Sequence, residues 1–135
     1  MQITRNGAVP ARQAPSSYFT GSARFESSFK GTAPATISGL TVAFDPGART
    51  HWHTHPLGQT LYILSGQGWV QRDGGPVETI NPGDIVHFEP GERHWHGGTD
   101  TTAMCHLAFA EALDGVTVTW LEPVTDSDYG TRPRT

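Results

Sequence analysis

The sequence predicts an all-β domain of many short strands, a small closed barrel or jelly roll. Three observations point there. The 135 residues hold 16 glycines and 10 prolines beside 10% aromatic residues, a balance that favours short strands and tight turns over disorder. Pro46-Gly47, Pro82-Gly83 and Pro90-Gly91 punctuate the chain as Pro-Gly turns, with proline fixing one backbone angle and glycine accepting the unusual one. Between the turns lie about nine to eleven stretches with β-type alternation. Closed barrels and jelly rolls both manage exposed sheet edges. Composition alone is equally compatible with an open sandwich.

The elements follow in order. Met1 to Ser17 is polar and carries Pro10 and Pro15, so it reads as an extended arm, ordered where it lies on a sheet or a partner subunit. The domain proper is read as 18–135. Tyr18 to Phe29 alternates weakly and holds one or two strands. Thr36 to Phe44 is a clearer strand with Leu40, Val42 and Phe44 on one face. Strands are expected over Arg49–His55, Gln59–Leu64, Trp69–Arg72 and Val77–Ile80, the last two joined through the hairpin signal Asp73-Gly74-Gly75. Asp84–Phe88, Arg93–His96, Thr102–Ala110 and Val116–Leu121 complete the set. Asp126 to Tyr129 is expected to make one helical turn. No internal repeat or linker interrupts this order.

Charge and composition exclude several functions. The net charge is −4 and the pI about 5.9, so there is no basic footprint for nucleic acid or an anionic membrane. Cys105 is the single cysteine, which rules out an internal disulfide and a multi-cysteine zinc site. Met1 to Pro15 has no apolar core of the signal-peptide kind, and no run reaches membrane-spanning length. A cytoplasmic protein is expected.

All seven histidines fall between His51 and His106, with tight runs at His51-Trp52-His53-Thr54-His55 and His94-Trp95-His96. Side chains alternate along a strand, so His53 and His55 project to one side and suit two adjacent ligands on one ion. Trp52 and Thr54 face away. Gln59 opens the next strand after a short turn, which can bring its amide oxygen beside both imidazoles. His94 and His96 repeat the spacing after another turn.

These residues carry a resemblance. Gly47, five residues, His53, one residue, His55, three residues, Gln59, six residues, Gly66 resembles the first motif of the cupin superfamily. Gly83, six residues, Pro90-Gly91, two residues, His94 resembles the second. The resemblance implies a single-domain cupin double-stranded β-helix, a jelly-roll barrel, with His53, His55, Gln59 and His94 on one divalent metal. The family usually has glutamate where this chain has Gln59, and often asparagine where it has Gly98. A neutral amide leaves more charge on the ion, strengthening it as a Lewis acid while binding it less tightly. Three imidazoles and an amide oxygen suit manganese, iron, nickel or cobalt, and affinity alone would not choose manganese; the resemblance implies manganese, with iron, nickel, cobalt or zinc as alternatives. A cupin with a decayed metal site is the alternative, and the three retained histidines speak against it.

A narrower resemblance extends along most of the chain. Pro46-Gly47-Ala48-Arg49-Thr50, Trp52 to Leu61, Gly91 to Gly97, Thr101 to Met104, Phe19-Thr20-Gly21 and Val124-Thr125-Asp126 are similar to the bacterial manganese-dependent cupin hydroxynitrile lyases. That group interconverts (R)-cyanohydrins such as mandelonitrile with an aldehyde and cyanide. Cleavage requires the hydroxyl to lose its proton as the carbon–carbon bond breaks, and the cyanide to be met by an acid. Neutral imidazole can do both. His106, on the strand face shared by Met104, Ala108 and Ala110, is assigned as base, and His96 as the group that orients hydroxyl or cyanide. Leu40, Val42, Phe44, Leu61 and Ala110 are expected to line an apolar pocket for a small aldehyde or cyanohydrin. His51 and His87 are read as structural or surface residues, and Trp52, Trp69, Trp95 and Trp120 as core or interface aromatics. Competing readings are a cupin dioxygenase on the same metal shell, a metal-dependent decarboxylase or isomerase, and a non-enzymatic small-molecule-binding cupin. Barrels of this family commonly pair through the arm and an outer sheet, so a homodimer is expected.

Overall fold

The computed structural model describes residues 1–131. In chain order the strands are β1 (Arg12–Gln13), β2 (Phe19–Thr20), β3 (Ala23–Lys30), β4 (Ile37–Phe44), β5 (Arg49–Thr50), β6 (His53–Thr54), β7 (Gln59–Gly66), β8 (Gly68–Arg72), β9 (Glu78–Ile80), β10 (Ile85–Phe88), β11 (His94–Gly98), β12 (Met104–Glu111) and β13 (Thr119–Trp120), followed by helix α1 (Asp126–Tyr129). One sheet runs β1-β3-β4-β12-β7-β10 and the other β13-β6-β11-β5-β2, with β8 on β11 and β9 on β8. Every pairing is antiparallel. Sequence-distant strands lie side by side, β4 with β12 and β5 with β11, as in a jelly roll.

The core lies between the sheets. Val42, Phe44, Leu61, Ile63, Met104 and Ala108 from the first meet Phe19, Val70 and Ile80 from the second. These are the inward positions of alternating strands, and each large side chain removed from water contributes roughly 1.5–3 kcal/mol. Trp52, Trp69, Val77, Trp95, Val124 and Tyr129 form a separate cluster. Trp52 and Trp95 therefore turn away from the histidines beside them, as alternation requires. The Trp95 indole donates to Gln71 Oε1 at 2.9 Å.

Two expected strands are shortened, each for its own reason. Arg49–His55 divides into β5 and β6 because His51 and Trp52 pair elsewhere. The His51 amide donates to the Tyr18 carbonyl at 2.8 Å, and the Trp52 amide to the Glu122 carbonyl at 3.0 Å. Val116–Leu121 contracts to β13 because a tight turn over Asp114 (φ 51°) and Gly115 (φ 81°) precedes it. The arm is not detached: β1 pairs with β3 of the same chain, and Ala14 is buried. Among the described residues, no helix is long and apolar enough to cross a membrane.

Candidate metal centre and active site

Five imidazoles and one amide converge inside the barrel. His53 comes from β6, Gln59 from the first position of β7, His94 and His96 from β11 and His106 from β12. His55 lies in the turn between β6 and β7. Gly58 makes that turn possible. Its φ is 82°, and a Cβ there would stand 2.6 Å from the Phe88 carbonyl oxygen, so a side chain would be both strained and crowded. His53 and His94 are paired directly across β6 and β11. Their rings lie 4.2 Å apart between centroids, and the His53 and His55 rings 5.1 Å apart. Phe88 stacks on His94 at 3.5 Å, fixing the plane of that ring.

Hydrogen bonds settle the tautomers. Nδ1 of His53 lies 2.8 Å from the His51 carbonyl, Nδ1 of His55 2.8 Å from the Thr117 carbonyl, and Nδ1 of His94 2.8 Å from the Glu92 carbonyl. A carbonyl only accepts, so each Nδ1 carries the hydrogen and each Nε2 presents a lone pair. This is the arrangement by which outer partners orient metal-binding imidazoles. Nε2 of His55 is buried and has no partner. Nε2 of His94 lies 3.1 Å from Gln59 Oε1, so one nitrogen lone pair faces one oxygen lone pair. A cation held by both atoms would remove that opposition, each lone pair then serving as a donor. The donor set, neutral nitrogen and oxygen without carboxylate or thiolate, fits a divalent transition ion.

One ring nitrogen from each of His53, His94 and His96 lies within 4.8 Å of the other two. His55, which the cupin resemblance places among the ligands with His53, Gln59 and His94, is outside that group. His96 differs from the other imidazoles in its partners. Its Nδ1 lies 3.0 Å from His106 Nε2 and its Nε2 3.3 Å from Gln59 Oε1, so no carbonyl fixes its tautomer. Its backbone amide donates to Thr50 Oγ1 at 3.2 Å.

Burial keeps these rings neutral. It holds His53 and His96 well below the ordinary histidine range, with neighbouring imidazoles adding to the effect. Burial lowers His94 to about 3, against the Glu92 carbonyl, and His106 to about 4, against its own carbonyl. His55 is also lowered by burial, with the Thr117 carbonyl and Gln59 opposing. Neutral rings are the state that ligates metal and accepts protons.

A cavity of about 180 Å³ opens beside the imidazoles. Leu40, Val42, Phe44 and Ala110 line it, together with His53, His55, Gln59, His96 and His106. Leu61 does not line it. It points inward from β7 but lies wholly buried in the core, because alternation fixes a side chain's face and not its depth along the barrel. Sequence reasoning missed Phe19, Phe25, Thr117, Val118 and Trp120 in the wall. Alternation could have found Phe19 and Phe25. The other three arrive from the far end of the chain.

The two remaining histidines stay out of this chemistry. His51 is buried and lends its carbonyl to His53. The His87 ring is half exposed, 3.0 Å from Thr60 Oγ1.

Comparison with known proteins places this architecture. A family profile for the cupin domain matches residues 40–110. An (R)-mandelonitrile lyase from Granulicella tundricola is 54% identical over 129 residues, which covers 96% of this chain and 98% of that protein. A cupin-like protein of known structure from Thermotoga maritima superposes with a TM-score of 0.82 at 30% identity, covering 96% of this chain and 95% of the other. A polyketide cyclase from Streptomyces resistomycificus superposes with a TM-score of 0.67 at 18% identity, covering 96% and 90%, a likeness of fold alone. The profile spans the barrel strands that carry every candidate metal ligand, and the chain belongs to the cupin family.

Proposed function

We propose that the protein is a metal-dependent hydroxynitrile lyase that cleaves or forms (R)-cyanohydrins such as mandelonitrile from an aldehyde and cyanide. The observation that carries this reading is the buried His96–His106 pair, which opens on an apolar cavity beside a cluster of neutral metal donors. The 54% identity to an (R)-mandelonitrile lyase over nearly the whole chain supports it.

His53, His55, Gln59 and His94 would hold a divalent ion, manganese by the family resemblance. The three imidazoles share one outer arrangement, Nδ1–H on a backbone carbonyl, and His96 does not. When bound, the ion supplies Lewis acidity of the kind that lowers the pKa of zinc-bound water from about 15.7 to about 7.

The chain's own residues handle the proton and the geometry. His106 is the base. The proton it removes turns the pair into one imidazolium, while the 3.0 Å contact between His106 Nε2 and His96 Nδ1 keeps its single hydrogen. An imidazolium buried to a pKa of about 4 is a ready acid, and it returns the proton to the departing cyanide. His96 orients hydroxyl or cyanide from its place between Gln59 and His106. Leu40, Val42, Phe44 and Ala110 hold the organic substituent and exclude water.

We infer a homodimer for the assembly. Tyr62, Leu64 and Ile85 stand exposed on β7 and β10 of the first sheet, an apolar strip of the sort that marks an interface. The arm 1–17 would join it ahead of the barrel 18–135. The acidic net charge suits a cytoplasmic protein that engages neither nucleic acid nor membrane.

The test combines elemental analysis of the purified protein with an anaerobic mandelonitrile cleavage assay and a solution mass. Bound manganese, benzaldehyde release without oxygen and a dimeric mass are expected. Oxygen demand with bound iron would favour dioxygenase chemistry and overturn the lyase reading.

A further inference from the structure

We infer that the strap Thr117–Glu122 is the positioning element for His55: the Thr117 carbonyl decides which nitrogen of that ring is offered to a metal, so metal affinity depends on how the strap is docked. This rests on the reading of His55 as a metal ligand.

The inference comes from a contrast between the three imidazoles. His53 and His94 are each fixed by a carbonyl two residues back in their own segment, His51 and Glu92. Their tautomers are set wherever β6 and β11 form. His55 takes its carbonyl from Thr117, 62 residues away. Its Nε2 is buried with no hydrogen-bond partner among the described residues, so the Thr117 carbonyl is what sets the tautomer of that ring. Without the Thr117 carbonyl, the ring can place its hydrogen on Nε2 and withdraw the lone pair.

The strap is docked by backbone pairing, which includes His53, and by side chains that are not proposed ligands. Thr119 and Trp120 pair with Thr54 and His53. The Leu121 amide donates to the Trp52 carbonyl at 2.8 Å, and the Trp52 amide donates to the Glu122 carbonyl. Arg93, which adjoins His94 in sequence, binds Glu122 and also Asp73, and lies over the Trp52 ring. Trp120 stacks on Tyr18 with centroids 4.8 Å apart. The same strap supplies Thr117, Val118 and Trp120 to the cavity wall. One segment thus shapes the substrate cavity and orients a metal donor, and the two cannot be set independently.

A backbone carbonyl is tested by backbone chemistry. Replacing Val118 by its α-hydroxy acid converts the 117–118 amide to an ester, whose carbonyl accepts hydrogen bonds less well, and leaves all side chains in place. Two readouts apply: the ¹⁵N shifts of His55 in metal-free protein, and the affinity for Mn²⁺ alone, followed by the electron-spin signal of the free ion. The parent should show His55 wholly as the Nδ1–H tautomer. The ester should show both tautomers and a Kd raised about tenfold, at the lower end of what outer-partner changes cost at metal sites. Thr117→Ala keeps the carbonyl and should leave the tautomer intact and the Kd within about twofold. An ester protein that is folded, with the parent's tautomer and Kd, overturns the inference while leaving the metal reading in place. A parent protein that takes up no Mn²⁺ overturns the metal reading, and the inference falls with it.

Discussion

His106 Nε2 lies 3.0 Å from His96 Nδ1, and both rings are almost wholly buried, at 0% and 3% exposure. At that distance one nitrogen donates and the other accepts, so the pair carries one mobile hydrogen between two rings. A register shift in the β12–β7 pairing falls between Cys105 and His106, and such irregularities re-aim side chains beside sites.

Removing His106 should therefore stop proton transfer and spare the metal. His106→Ala is expected to lower kcat for mandelonitrile cleavage by about 10²–10⁴-fold, the usual worth of a positioned general base. Metal content, measured by elemental analysis, should stay at the parent level because His106 is not among the four proposed ligands. Cleavage at the parent's rate with metal retained would take His106 out of the mechanism.

Gln59 offers a second separation. Its Oε1 lies 3.1 Å from His94 Nε2 and 3.3 Å from His96 Nε2. Gln59→Glu keeps the shape and adds a negative charge where the cation would bind. Manganese affinity should rise by about tenfold or more, since hard ions prefer carboxylate oxygen. Cleavage should fall, because the added charge weakens the ion as a Lewis acid and favours the protonated form of His96. Titration with Mn²⁺ and a cleavage assay at saturating metal would read the two effects. A variant that binds more tightly and also cleaves faster would contradict the role given to the neutral amide.

What the sequence made legible was local. The faces of His53, Trp52, His94, Trp95 and His106 follow from strand alternation, which needs only a short stretch of chain. Gly58 follows from the turn that separates His55 from Gln59. What stayed hidden depended on distant partners. The strand over Arg49–His55 breaks because Trp52 pairs with Glu122 and Leu121, and no local pattern announces that pairing. Trp120 reaches the cavity from a two-residue strand, too short to show alternation, and Thr117 and Val118 from the irregular chain before it. His96 joins His53 and His94 in one group because β6 pairs with β11 at His53 and His94, a closure between two strands that spacing along one strand does not specify. Leu61 shows the same limit: its face was legible, its depth was not.

The cavity wall predicts a change of selectivity. Leu40 sits on β4 opposite Ala108 of β12, and both line the cavity of about 180 Å³. Leu40→Ala removes most of one wall side chain. Selectivity, taken as kcat/KM for an aromatic cyanohydrin carrying a bulky ring substituent over that for mandelonitrile, should rise by roughly 10-fold or more, the scale at which pocket methylenes discriminate. Leu40 is only partly buried, so the cost in stability should stay below the roughly 2–5 kcal/mol of a full core truncation. An unchanged ratio would place the substituent elsewhere.

Acid should unfold the metal-free protein over a definite window. The folded state lowers His106 from 6.5 to about 4 and His94 to about 3, chiefly by burial. Between those values and 6.5 the unfolded chain binds more protons than the folded one, so stability rises with pH there. The contribution of neutral burial is complete above about 6.5 and is lost progressively as pH falls toward 4 and then 3. His106 alone accounts for of order 3 kcal/mol across its window, at 1.36 kcal/mol per pKa unit, a large share of an ordinary domain's stability. Urea midpoints of chelator-treated protein at pH 7.5, 6.0 and 5.0 should decline in that order at constant slope. With Mn²⁺ present the midpoint at pH 7.5 should be higher and its fall steeper, because protons then also compete with the ion for nitrogen. A midpoint that stays level from pH 7.5 to 5.0 without metal would mean that these imidazoles are not buried in their neutral form.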